Sequence, residues 1–257
     1  MKILLKTIGV SGLIIVLMLP FSCVSTKYLS SRIYLLSPSK TQDHLLIFLP
    51  GRRSGIHAFE AHGTLDILRS SGIPADCVSV DATLPYYTDR VLVDRLETDV
   101  FRKPEMADYK NYWFIGNSLG ALGAILYAQS HPGKIKGIIL LGPYLGEGAV
   151  PDEIQSSGGL LKWEPTMDPE NDSIQDAWLF LKNCIKDSTG NFPAIVFLAG
   201  QDDRYHKIQS LVAEALPADR VFWVPGEHDW DAWNAAFSKF INSETAKKLF
   251  GKQTLPQ

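Results

Sequence analysis

Cysteine is scarce in this chain of 257 residues: there are three, and no two of them form a C-x-x-C pair. That excludes a disulfide-stapled scaffold and the common structural zinc modules, whose ligands sit at short spacings. Charge of one sign is missing too. Lys and Arg number 25 against 28 Asp and Glu, a net of −3, with neither a basic nor an acidic tail. A nucleic-acid partner, which calls for a clustered basic face, therefore has no footprint here. No internal repeat and no low-complexity tract is present, which removes solenoids, propellers and disordered arrays. What remains, 46% hydrophobic and 21% charged residues, suits one globular domain with a sizeable core.

The N-terminus differs in kind from the rest. Lys2 and Lys6 flank the start of the apolar stretch "TIGVSGLIIVLMLP", which stops at Pro20 and is followed by "FSCVST". A charged start, a short apolar run and then small residues describe a secretory signal peptide over residues 1–22. The run falls short of the ~20 residues of a comfortable membrane span. Cys23, directly behind it, resembles the cysteine of a bacterial lipoprotein signal, where cleavage exposes the thiol for lipidation. Ser22 fits that pattern, whereas Phe21 and Pro20 depart from it and Leu19 stands one place early. The expectation is an exported protein of the bacterial cell envelope, held at a membrane by lipid on Cys23. The alternative is a signal peptide or short anchor with an incidental cysteine. Export also makes a Cys77–Cys184 disulfide permissible, with two buried free thiols as the other outcome.

Residues 23–44 read as a tether with one edge strand around Arg32 to Leu36. From Leu45 onward short apolar runs alternate with helical patterns. "LLIFLPG", "CVSVD", "NYWFIG", "KGIILLG", "AIVFLAG" and "RVFWVPG" are strands by their length and by the turn residues that end them. Between them lie helices at Phe59 to Ser70, "DRVLVDRLETDVF", "SLGALGAILYAQS", "IQDAWLFLKNCIK" and His206 to Leu216, with a last one from Trp230 to Asn242. This alternation predicts an α/β domain over residues 45–257, a mostly parallel central sheet with helices on both faces. The stretch Pro143 to Ser173, rich in Gly, Pro and acidic residues, has no strong periodicity. It reads as a loop or small cap inserted after the strand that follows the Ser118 helix.

Ligands of such a sheet bind where the carboxyl ends of the strands meet their loops. The polar residues there are Arg52 and Arg53, Ser118, Tyr144 and Glu147, Asp202 and Asp203, and Glu227 and His228. Ser118 stands between Gly116 and Gly120, where strand passes into helix. A serine presented on so tight a turn needs neighbours without Cβ, and the helix N-terminus behind it suits developing negative charge. An ordinary helix cap is the competing reading. A serine hydroxyl attacks well only when a base takes its proton and a third group orients that base. Among the histidines, His131 reads as a helix C-terminal charge and His206 as a solvated helix start. His228, in "WVPGEHDW", follows the last strand and lies C-terminal to both serine and acid. Asp202 and Asp203, in "FLAGQDDRY", are the strand-end carboxylates, either of which can instead cap the next helix, and Glu147 is a weaker third.

G-x-S-x-G after one strand, "GQDD" after a later one and "GEHDW" after the last, in the order Ser, Asp, His, resemble the α/β-hydrolase fold over roughly Leu45 to Asn242. The resemblance implies Ser118 as nucleophile, Asp203 as acid with Asp202 as second choice, and His228 as base. Pro50 stands where the superfamily commonly has His before Gly. The implied oxyanion donors are the backbone N–H groups of Arg52 and Leu119. The implied chemistry is acyl transfer from a small-molecule ester or related acyl substrate to water, with neither metal nor organic cofactor required. Thioesterase or serine peptidase activity, and a catalytically silent envelope binding protein on the same scaffold, are the alternatives. Arg52 and Arg53 suit an anionic substrate group, or else face solvent or pair with surface acids. Tyr86, Tyr87, Tyr144, Trp163 and Trp230 are candidates to line an acyl or alcohol pocket, with Arg53, Tyr144 and Trp230 the foremost substrate contacts.

Overall fold

The computed structural model describes residues 28–36, 42–165 and 173–251. The signal segment 1–22, Cys23 and the far end of the expected insertion lie outside the described residues. Seven strands form one sheet: β1 (Ser31–Tyr34), β2 (His44–Leu49), β3 (Ala75–Val80), β4 (Asn111–Asn117), β5 (Ile135–Leu141), β6 (Ala194–Gly200) and β7 (Val221–Val224). Their order is β1-β3-β2-β4-β5-β6-β7. β1 runs antiparallel to β3, and every other pairing is parallel.

The apolar runs expected as strands are apolar throughout because both faces of the sheet are covered. Successive side chains point to opposite faces. Leu45, Ile47 and Leu49 enter one core with Phe114, Leu140 and Phe197. Leu46 and Phe48 enter the other with Trp113, Ile139 and Leu198. The second core is roofed by α1 (Ala58–Ala61), α2 (Thr64–Ser71), α9 (Trp230–Ile241) and α10 (Glu244–Phe250). The first is roofed by α3 (Leu84–Thr88), α4 (Leu92–Leu96), α5 (Leu119–Ser130), α6 (Ala149–Ser156), α7 (Ser173–Lys186) and α8 (His206–Ala213).

Several local details depart from the sequence reading. The single helix expected from Phe59 to Ser70 is two, α1 and α2, divided at Gly63 with its φ of 82°. The helix expected over "DRVLVDRLETDVF" begins only at Leu92, and its last turn, Glu97–Phe101, widens to a π-helix. α3 and α10 were not legible as helices. Within the expected insertion Ala149–Ser156 is helical, and its Val150 and Ile154 join the core. Cys77 and Cys184 are both free and buried, in cores on opposite faces of the sheet, so the disulfide that export would permit does not form.

The N-terminal segment is docked rather than loose. Leu29 is fully buried, and its N–H donates to Asp99 Oδ2 at 2.8 Å. After β1, Leu36 N–H donates to Asp76 Oδ1 at 2.8 Å. Two interior carboxylates therefore hold the edge strand at both ends.

Candidate active site

Ser118 joins β4 to α5 with φ 49° and ψ −113°, a region that side chains other than glycine's rarely occupy. The two flanking glycines are required by close packing. A Cβ on Gly116 would lie 2.4 Å from Ala121 Cα, and one on Gly120 would lie 2.1 Å from the Leu49 carbonyl oxygen. Only glycine lets α5 start this close to the end of β2, and that approach forces the turn that projects Ser118. The turn is tied down by Ser118 N–H donating to Leu141 O at 2.9 Å and by Tyr144 N–H donating to Ser118 O at 3.0 Å. Ser118 caps nothing with its side chain, so the ordinary helix-cap reading fails.

His228 lies in the loop after β7, with Nε2 3.0 Å from Ser118 Oγ. Its Nδ1 is 2.7 Å from Asp203 Oδ2. Asp203 is in the turn after β6, its side chain fully buried, and its other oxygen accepts Tyr205 N–H at 2.8 Å. Burial raises the Asp203 pKa, but the hydrogen bonds from His228 and the Tyr205 amide, with the His228 charge and Gln209, outweigh it and hold the carboxyl below its ordinary value. The Asp203 carboxylate is therefore the acceptor, which makes Nδ1 of His228 the donor and leaves Nε2 as the acceptor facing Ser118 Oγ.

Of the two adjacent aspartates, the structure brings Asp203 to the histidine. Asp202 is exposed, and its N–H donates to Gly226 O at 2.9 Å, which ties the acid loop to the histidine loop. Glu147 is exposed at the rim of the cleft. His206 packs against Trp223 and His131 stacks on Tyr127, both away from Ser118.

Ser118 opens into a cleft of about 830 Å³. Arg52, Arg53, Tyr144 and Trp230 all line it, as does Leu119. Among the described residues neither Arg52 N–H nor Leu119 N–H has a hydrogen-bond partner, so both remain available to an oxygen at Ser118. Three of the five aromatic candidates are elsewhere. Tyr86 donates its hydroxyl to Tyr28 O, Tyr87 is enclosed beside Gly123, and Trp163 is buried with its indole N–H on Glu153.

Several cleft residues escaped the sequence reading. Trp233 and Tyr205 both meet the His228 ring edge to face, with centroids 4.8 and 5.1 Å away, and so restrict its rotation. Trp233 lies three residues beyond Trp230 on α9, a spacing that signals a core face and nothing more. Asn117, one residue before Ser118, is buried at the cleft floor, and its side-chain amide has no hydrogen-bond partner among the described residues. Arg204 directly follows Asp203 and lines the same cleft.

The sheet order, the helices on both faces and the strand–turn–helix placement of Ser118 define an α/β-hydrolase fold. More narrowly, the chain belongs to the Esterase family, whose model matches residues 88–241, and at family level it is an ester hydrolase. Solved structures with this fold include Est1E from Butyrivibrio proteoclasticus, 16% identical, with a TM-score of 0.55 over 87% of this chain and 95% of that one. S-formylglutathione hydrolase (FrmB) from Staphylococcus aureus is 13% identical, with a TM-score of 0.53 over 83% of this chain and 95% of that one. FphF, a fluorophosphonate-binding serine hydrolase of Staphylococcus aureus, is 13% identical, with a TM-score of 0.52 over 87% and 98%. No curated protein sequence matches the chain.

Proposed function

We propose that the protein hydrolyses carboxylic esters of small molecules through an acyl-enzyme on Ser118. The observation that carries this reading is the continuous hydrogen-bonded line Ser118 Oγ–His228–Asp203, at 3.0 and 2.7 Å. His228 Nε2 removes the Ser118 proton as Oγ attacks the ester carbonyl, and Asp203 stabilises the imidazolium that results. The developing oxyanion is received by the N–H groups of Leu119 and Arg52, each donor worth about 3–4 kcal/mol in comparable sites. His228 then protonates the leaving alcohol, and in the second half-reaction it activates water to release the acid. The test is labelling with a fluorophosphonate probe. Wild-type protein is expected to label and Ser118→Ala to stay unlabelled while keeping its circular dichroism spectrum. A wild type that does not label refutes the assignment.

We also propose that the chain is exported to the bacterial envelope and anchored by lipid on Cys23. The support is the charged, apolar and small-residue succession that ends at that cysteine. A Cys23→Ala protein is expected to leave the membrane fraction, and its continued partitioning there refutes the anchor.

A further inference from the structure

We infer that the cleft selects esters that carry a second, anionic group, a carboxylate or a phosphate, near the scissile bond. This rests on the reading of Ser118 as nucleophile and goes beyond it by naming the substrate class. Three guanidinium side chains, Arg52, Arg53 and Arg204, line the cavity into which Ser118 opens. Each leaves the backbone at a tight turn beside the reacting groups. Arg52 and Arg53 are the central residues of the turn closed by Ser54 N–H on Gly51 O at 3.0 Å. Arg204 is central in the turn closed by His206 N–H on Asp203 O at 2.8 Å.

None of the three makes an ion pair among the described residues. Four of the six other arginines do: Arg32, Arg69, Arg95 and Arg102 each meet a carboxylate. Of the two alternatives that sequence allowed for Arg52 and Arg53, surface-acid pairing is absent among the described residues, while both side chains, like Arg204, are exposed to solvent. Two carboxylates share the lining, Glu147 and Asp229, but Asp229 is engaged by Ala232 N–H at 2.9 Å as the cap of α9. Three cations therefore meet two carboxylates in the lining, an excess of one positive charge, on a chain whose net charge is −3. The cleft walls add neutral donors and aromatic surface. The Arg204 guanidinium lies over the Tyr205 ring at 4.9 Å, and Tyr144 meets Tyr205 edge to face at 5.3 Å.

Guanidinium groups pair with carboxylate and phosphate oxygens through parallel hydrogen bonds. A neutral ester leaves the positive excess of the lining uncompensated, whereas an anionic one supplies counter-charge beside Ser118.

The experiment compares matched esters. For a charge on the acyl side the pair is 4-nitrophenyl hemiglutarate and its neutral methyl ester. For a charge on the alcohol side it is the butyryl ester of 4-hydroxybenzoate and that of its methyl ester. Phosphate is compared with carboxylate by inhibition of the neutral ester's hydrolysis with phenyl phosphate and benzoate. A charged member of at least one pair is expected to show roughly tenfold higher kcat/KM than its neutral partner, as charge-assisted pairing supports. That ratio should fall as salt is raised, and it should collapse towards one in Arg204→Gln and in Arg53→Gln. Neutral esters turned over as well as charged ones, or a preference unmoved by both substitutions, overturn the inference and leave the serine-esterase reading intact. No turnover of any of the four esters, with no fluorophosphonate labelling, overturns both.

Discussion

Asp203 and Asp99 are both interior carboxylates, 3% and 6% exposed, yet they are used in different ways. Asp203, at the carboxyl end of β6, gives one oxygen to a backbone amide and the other to His228, whose ring lines the cleft. Asp99 gives an oxygen to Leu29 N–H and meets Arg95 at 3.6 Å, and Asp76 takes Leu36 N–H and the Tyr109 hydroxyl. Those partners hold the edge strand β1 against the body, and none of them faces the cleft. Burial of an acid is therefore not what marks an active site. The mark is a hydrogen-bonded imidazole in reach of a serine hydroxyl and of a cavity.

The contrast is broken most sharply at Asp203. Asp203→Asn keeps the shape but reverses the donor sense toward His228, so kcat on a 4-nitrophenyl ester is expected to drop about 10⁴-fold. Asp202→Asn, one residue away, is expected to stay near wild type, and the reverse result would move the acid to Asp202. Asp99→Ala should do the opposite. It leaves Leu29 N–H buried without an acceptor, a loss of about 1–3 kcal/mol in unfolding free energy, while kcat/KM stays within a few-fold. A large fall in kcat/KM would mean that the β1 flank is coupled to the site. The smallest effect concerns the histidines. His44 accepts the Trp113 indole N–H at 3.1 Å, and burial holds its pKa below the ordinary value. The fold thus favours neutral His44. Its contribution is complete above the ordinary value of about 6.5 and is lost as pH falls towards the folded value. Urea midpoints are expected to be lower at about pH 5.5 than at about pH 7.5, and the part due to His44 should disappear in His44→Gln.

Much of the site was legible because its members occupy strand ends. An apolar run closed by a turn marks where a parallel strand stops, and Ser118, Asp203 and His228 each follow such a run. Gly116 and Gly120 were legible as well, since both answer to the local crowding of one turn. Arg204 was not, because an arginine beside two aspartates has no periodic or spacing signal. Trp233 looked like core, and it does pack in the core while its ring also meets His228. α10 had a signal that was passed over: Ser243 accepts Ala246 N–H as its cap, and lysines stand in its last turn. Tyr86, Tyr87 and Trp163 carry the same chemistry as Tyr144 and Trp230, and only packing assigns the first three to the interior.

The amino-acid sequence by itself determined the period of the central strands and of the longer helices, the order of the strands along the chain and the glycine-flanked turn at Ser118. These depend on residues a few positions apart, whose steric and hydrophobic preferences act locally. Tertiary structure alone decided which of two adjacent aspartates turns inward to His228. It also decided that Cys77 and Cys184 lie on opposite faces of the sheet, that Asp99 reaches Leu29, and that three arginines share one cleft with no ion pair among the described residues. Those outcomes depend on groups far apart in the chain, such as Asp203 and His228 at 25 residues and Leu29 and Asp99 at 70, and no local preference encodes their placement.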